Sequence, residues 1–153
     1  MFGKSCCRQT VGHPRGLRLG FGEKIYHGNA KLNDSYYGEW EIGTYYASWR
    51  ILRNNKILCA SGDLVESLGE LEAIVKKCDF GRIVSLNHMT DFDLRAEFDS
   101  GLSVDFLATI SDDDECFTII YEPGHMAVQF AVGTGWTLGL SNKGSGEVRS
   151  SPL

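Results

Sequence analysis

The stretch Phe92–Ala108, FDLRAEFDSGLSVDFLA, decides the fold. It reads as a β-hairpin, because short apolar and polar residues alternate on both sides of a Ser-Gly pair. The loop length sets the register. A two-residue loop at Ser100-Gly101 places Phe98 opposite Ser103 and Ala96 opposite Asp105, apolar against polar on both faces. A three-residue loop, Asp99-Ser100-Gly101, places Phe98 opposite Leu102, Ala96 opposite Val104, Leu94 opposite Phe106 and Phe92 opposite Ala108. Every pair on that face is then apolar. The other face sets Arg95 directly against Asp105. The three-residue loop needs a residue in the left-handed conformation, and Gly101 stands there. A slip of one residue would turn the apolar set to solvent, so the pattern specifies one register.

The flanks extend this sheet. Ala47–Arg53 alternates and is rich in Trp and Ile; Asn54-Asn55 marks a turn, and Lys56–Ala60 returns. A helix is expected over about 63–78. Asp63 is its N-cap with Glu66 as capping-box partner. Leu64, Leu68, Leu71 and Val75 recur at helical spacing, widened by Val65 and Ile74. Lys76 and Lys77 suit the negative end of the helix dipole, and Gly69 costs about 1 kcal/mol against alanine. Arg82–Asn87 leads into the hairpin. After the turn Ser111–Glu115 come strands at Cys116–Glu122, Met126–Val132 and Trp136–Leu140, punctuated by Pro123-Gly124 and Gly133-Thr134-Gly135.

These elements predict an α+β fold. It is a single domain over 21–140, with a curved antiparallel sheet of seven or eight strands and the helix packed on it. Residues 1–20 lack periodicity and are expected to form a basic flexible tail; 141–153 are expected to form a second. Residues 21–46, rich in Gly, Asn and Tyr, read as irregular or short extended pieces.

Composition bounds the function. The 153 residues are 42% hydrophobic and 23% charged, ordinary for one globular domain with a real core. No run of 18 apolar residues predicts a membrane span, and no apolar segment follows the N-terminal basic residues. The expected location is the cytoplasm. The five cysteines, Cys6, Cys7, Cys59, Cys78 and Cys116, are odd in number and irregular in spacing. That argues against a disulfide framework or a zinc site. Cys59 and Cys116 read as small core residues, and Cys6 and Cys7 as thiols of the tail.

Charge is unevenly placed. Residues 1–20 carry +4 and the remainder −9; the window Asp91–Glu115 alone carries −8. Such a field repels nucleic acid and attracts a basic partner.

Catalytic patterns are missing. His13, His27, His88 and His125 are scattered, and only His88 has acids nearby, Asp91 and Asp93. Gly133 and Gly135 lie between strands, not before a helix, so they are no dinucleotide fingerprint. Asp112-Asp113-Asp114-Glu115 are consecutive, whereas calcium loops alternate their ligands so that they converge. The expectation is no catalytic residue, no metal and no cofactor.

Tyr36, Tyr37, Trp40, Tyr45, Tyr46 and Trp49 form the densest aromatic group. They read as packing residues, or as a binding surface or cavity lining. Gly38-Glu39-Trp40 resembles the Gly-x-Trp of the first strand of lipocalins, which implies a small-molecule carrier with a β-barrel cavity. Lipocalins carry their helix after the barrel, whereas here it is mid-chain.

A broader resemblance covers about Ser48 to Leu140. Ser48-Trp49-Arg50-Ile51, then Ile57 to Asp63, the helix, Asp93 to Phe98 and Leu102 to Phe106 resemble in order small bacterial immunity proteins of polymorphic and contact-dependent toxin systems. The resemblance implies a cytoplasmic protein that binds one toxin domain and blocks it. Basic nuclease toxins grip phosphate, so fixed carboxylates on an inhibitor would steer association. The expected partner-binding residues are Asp93, Glu97 and Asp105 on the solvent side of the hairpin and the turn Asp112, Asp113, Asp114 and Glu115. Tyr45 and Tyr46 are the expected anchors.

Overall fold

The computed structural model describes residues 1–26, 34–111, 117–122, 126–131 and 135–140; for 117–122, 131 and 140 it describes the backbone alone. The chain opens with three strands, β1 (Cys6–Gly12), β2 (Gly16–Tyr26) and β3 (Tyr36–Tyr45). It crosses to a second sheet through β4 (Ser48–Arg53) and β5 (Lys56–Ala60). The helix α1 (Leu68–Lys76) follows, then β6 (Ile83–His88), β7 (Leu94–Phe98) and β8 (Leu102–Leu107). The chain returns to the first sheet with β9 (Phe117–Glu122), β10 (Met126–Ala131) and β11 (Gly135–Leu140).

The described residues are mostly β, with one short helix. Among them the strands do not form the expected single sheet of seven or eight but divide between two larger sheets. One has six strands in the order β1-β2-β3-β9-β10-β11, the other five in the order β5-β4-β8-β7-β6. The division has a plain cause. Both sheets bury an apolar face, and the faces meet in one core. Phe21 of β2 stacks on Phe98 of β7 with ring centroids 6.1 Å apart.

The central hairpin forms in the register read from its loop. Leu94 pairs with Phe106, Ala96 with Val104, and Arg95 with Asp105. Gly101 has φ +79°. Phe92 departs from the reading: β7 starts at Leu94, and Phe92 lies outside the ladder, 56% exposed.

The expected N-terminal tail is an integral part of the six-stranded sheet. Leu17, Leu19 and Phe21 alternate along β2 and are fully buried. The Gly3 N–H donates to the Ile83 carbonyl (2.8 Å), and the Cys6 N–H to the Gly81 carbonyl (2.7 Å), joining this segment to the edge of the other sheet. Three of the four tail cations have internal partners. Lys4 pairs with Glu39, Arg8 with Asp34 and the buried Glu41, and Arg15 donates to the Ser61 and Asp63 carbonyls. The Trp49 indole N–H in turn donates to the Arg15 carbonyl (2.7 Å).

The helix begins later than expected. Its N-cap is Ser67, whose Oγ accepts the Glu70 N–H (3.2 Å), while the Glu70 carboxylate accepts the Glu66 N–H (2.9 Å). Asp63 instead closes the turn after β5: its carboxylate accepts the Ala60 N–H and its own N–H donates to the Ala60 carbonyl. Short polar side chains hold turns this way at the expense of a helix. Leu64 is accordingly exposed, and Leu71 and Val75 carry the buried stripe. Gln9 of β1 donates to the Val75 and Cys78 carbonyls, satisfying acceptors at the helix end. The expected tail at 141–153 lies outside the described residues.

Candidate partner-binding surface

The five-stranded sheet has one rim where β4 starts, β8 ends, β7 starts and β6 ends. Antiparallel order puts these four points side by side. Three strand spacings make the rim about 14 Å wide. Its connections are pinned. The Asp93 carboxylate accepts the Ala108 N–H (2.9 Å) and the Thr90 hydroxyl (2.9 Å), and the Asp93 carbonyl accepts the Met89 N–H (2.9 Å). The Thr90 Oγ1 also accepts the Phe92 and Asp93 N–H groups. Ser48 at the start of β4 hydrogen-bonds Thr109 just beyond β8 (2.7 Å).

This scaffold presents large apolar side chains to solvent. Met89, Phe92 and Ile110 are 40%, 56% and 39% exposed. Phe92 rests its inner face near Phe130 of β10, with centroids 6.0 Å apart. Tyr45 ends β3, and Tyr46 and Ala47 link it to Ser48 at the start of β4. Tyr45 and Tyr46 are exposed and meet edge to face at 4.8 Å, with Tyr46 at φ +53°.

The structure sorts the expected site residues. Asp93 stands at this rim, while Tyr45 and Tyr46 precede β4, whose first residue lies on it. Asp93 is half-buried and spent on the turn, although it makes no salt bridge among the described residues. Glu97 lies toward the opposite end of β7, exposed, accepting the Ser85 hydroxyl (2.6 Å). Asp105 is not displayed at all. It is fully buried between Arg95 of β7 and Arg50 of β4, at 2.6 and 2.7 Å. Burial pushes its carboxyl pKa up, but hydrogen bonds from Arg95 and Arg50 outweigh that and hold it below the ordinary value. The hairpin reading gave Asp105 one arginine; the second comes from a strand it did not include. Asp112, Asp113, Asp114 and Glu115 lie outside the described residues and follow Ile110 and Ser111 in the chain.

Met89, Phe92 and Ile110 were missed as surface residues. The signal was Met89-Thr90-Asp91-Phe92, apolar residues inside a turn rich in Thr and Asp.

Other candidates are dispersed. His88 packs edge to face on Trp136 at 5.4 Å, and none of the hydrogen bonds among the described residues joins it to Asp91 or Asp93. His27 and His125 lie outside the described residues. Among the described residues no group of three or more His, Cys, Asp or Glu could hold a metal. Of the aromatic group, Trp49 is core, Trp40 packs against the core, and Tyr36 donates to the Cys7 carbonyl. A polar cleft of about 360 Å³ lies beside β1 and α1, and Tyr45 is the one member of that group lining it. Arg8, His13, Arg18 and Lys76 are also in its wall, with Asp34 paired to Arg8 and Glu72 paired to Lys76. Among the described residues no helix is long and apolar enough to cross a membrane.

No protein-family model, curated protein or solved structure matches the chain.

Proposed function

We propose that this chain is an immunity-type inhibitor that binds a basic toxin domain through the rim of its five-stranded sheet. The observation that carries the reading is the exposure of Met89, Phe92 and Ile110 together at that rim. Interfaces place large apolar or aromatic anchors at their centre and polar groups around them. Tyr45 and Tyr46 extend the anchor set on one side. Asp91, exposed and without a salt bridge among the described residues, supplies a charged margin, and the acids Asp112 to Glu115 follow Ile110 and Ser111 in the sequence. A basic toxin fits that margin, and carboxylates placed there speed encounter. The inhibitor acts by covering its partner, in the cytoplasm of the cell it protects, and performs no reaction of its own.

The test uses the tagged full-length chain in its native host. Wild type recovers one basic protein in stoichiometric amount, and co-expression of the chain relieves the growth arrest that protein causes. Phe92→Asp and Ile110→Asp, checked as folded by circular dichroism, lose capture and protection. Protection retained in both variants places the interface elsewhere. A captured protein whose expression does not harm the cell rejects the inhibitor reading.

A further inference from the structure

We propose that the cleft beside β1 and α1 binds a small phosphate monoester, with Arg18, Thr10 and His13 as donors to the phosphate oxygens. The inference goes beyond the partner-binding reading and does not depend on it. The cleft holds about 360 Å³, within the range of small-molecule sites. The β1–β2 hairpin supplies Thr10 and Arg18, which oppose each other directly in register, and its turn adds His13. Directly opposed residues of an antiparallel pair share a face, so the hydroxyl and the guanidinium stand on one side of the hairpin. The helix packs along β1, where Gln9 donates to the Val75 and Cys78 carbonyls, and it brings Glu72 and Lys76 into the lining.

The polar groups of the lining divide into spent and unspent. Arg8 is held by Asp34 and Glu41, and Lys76 by Glu72 at 3.1 Å. Arg18, Thr10 and His13 have no salt bridge and no side-chain hydrogen bond among the described residues. Arg18 is thus the permanent cation of the lining that no described carboxylate neutralises. Glycine keeps its surroundings clear. A Cβ at Gly43, the β3 partner of Arg18, would stand 3.2 Å from the Arg18 Cγ. A Cβ at Gly12, also in the lining, would meet nothing within 4 Å.

The unspent groups offer a guanidinium fork, a hydroxyl and an imidazole N–H. Phosphate answers all three, because it carries negative charge on three acceptor oxygens. The planar fork of arginine takes two of them in parallel. A carboxylate presents only two oxygens and leaves one donor unanswered. A phosphate group fills a minor part of the cleft, and the remainder, which Tyr45 also lines, takes the organic group of a monoester.

The experiment titrates the nitrogen-15-labelled full-length chain with phenyl phosphate, inorganic phosphate and benzoate at constant ionic strength, and reads amide shifts. Phenyl phosphate and inorganic phosphate saturate the same shifts around Thr10, His13 and Arg18, and phenyl phosphate binds more tightly. Benzoate binds several-fold more weakly than phenyl phosphate. Arg18→Gln weakens phenyl phosphate at least about ten-fold, the loss of a charge-assisted contact. Gly12→Leu fills the open space beside it and abolishes binding. Glu72→Gln releases Lys76 and tightens binding about two- to five-fold, the scale of an exposed charge pair. Arg53→Gln, an exposed cation outside the cleft, keeps the wild-type affinity. Circular dichroism melts show which variants are folded, and Arg18→Gln, exposed at the surface, decides the matter if Gly12→Leu is not. Shifts that never saturate overturn the proposal, as does a folded Arg18→Gln chain with wild-type affinity. Equal affinity for benzoate overturns the phosphate assignment, and an equal loss in Arg53→Gln reduces the binding to a general field effect and overturns the site.

Discussion

Asp105 lies between Arg50 and Arg95, and the balance at that carboxylate sets an acid limit on the fold. Its folded pKa lies below the ordinary value. The unfolded chain therefore binds a proton there at a higher pH than the folded chain does. The contribution to stability is complete above the ordinary aspartate value, and it is lost as pH falls through the lowered folded value. Urea midpoints measured from neutral to acid pH should hold level and then drop in that window. Asp105→Asn removes this part of the drop and lowers the neutral plateau. It leaves two guanidiniums facing each other without their partner. The cost is about 2–4 kcal/mol, the lower side of the buried-pair range, because each arginine still reaches water. An Asp105→Asn chain with the wild-type midpoint at neutral pH would show that the triad contributes nothing. Phe106, next along β8 and 1% exposed, tests the other face: Phe106→Ala should cost about 3–5 kcal/mol by the same urea measurement.

At the scale of elements, two candidate caps compete for the start of α1, and the fold separates them. Ser67→Ala removes the acceptor for the Glu70 N–H and should cost about 1 kcal/mol, with faster hydrogen exchange in the first helical turn. Asp63→Ala loosens the turn after β5 and leaves exchange in α1 unchanged. Equal loss of helix protection in both variants would restore Asp63 as the cap. Spacing alone could not choose, because Asp63 and Glu66 satisfy the same capping pattern. The choice is made from afar, where Arg15 donates to the carbonyls of Ser61 and Asp63 and holds that stretch out of the helix. The central hairpin was legible because its period, loop length and glycine agree with one another. The six-stranded sheet was not. Leu17, Leu19 and Phe21 alternate in the chain, but a boundary placed at residue 20 cuts through the pattern. The glycines beyond it read as irregular, yet a side chain at Gly38 would put its Cβ 2.5 Å from the Phe21 nitrogen of β2. Glycine there marks two strand backbones in close approach, a requirement invisible without the partner strand. The rim was half legible: Asp93 stood out by type, while alternation wrongly drew Phe92 into the core.

Across the whole molecule, paired and unpaired acids divide the net charge of −5 into two kinds. Glu39, Glu41, Asp99 and Asp105 spend their charge on Lys4, Arg8, Arg82, Arg50 and Arg95. Long-range attraction of a basic partner then falls to acids without such a pair among the described residues, Asp91 among them, and to the acidic run of the sequence from Asp112 to Glu115. This division predicts two separable kinetic signatures. The first comes from reversing Asp112, Asp113 and Asp114 to lysine, in a chain shown to be folded by its circular dichroism melt. Association with the basic partner should slow, and slow most at low salt, because screening at 0.1 M already cuts attraction beyond about 10 Å. Phe92→Asp acts differently: it removes an anchor at the contact, so dissociation should accelerate at every ionic strength. Stopped-flow association at several salt concentrations distinguishes the two. A wild-type association rate that is flat in salt would remove steering from the account and leave the apolar rim to carry the binding alone.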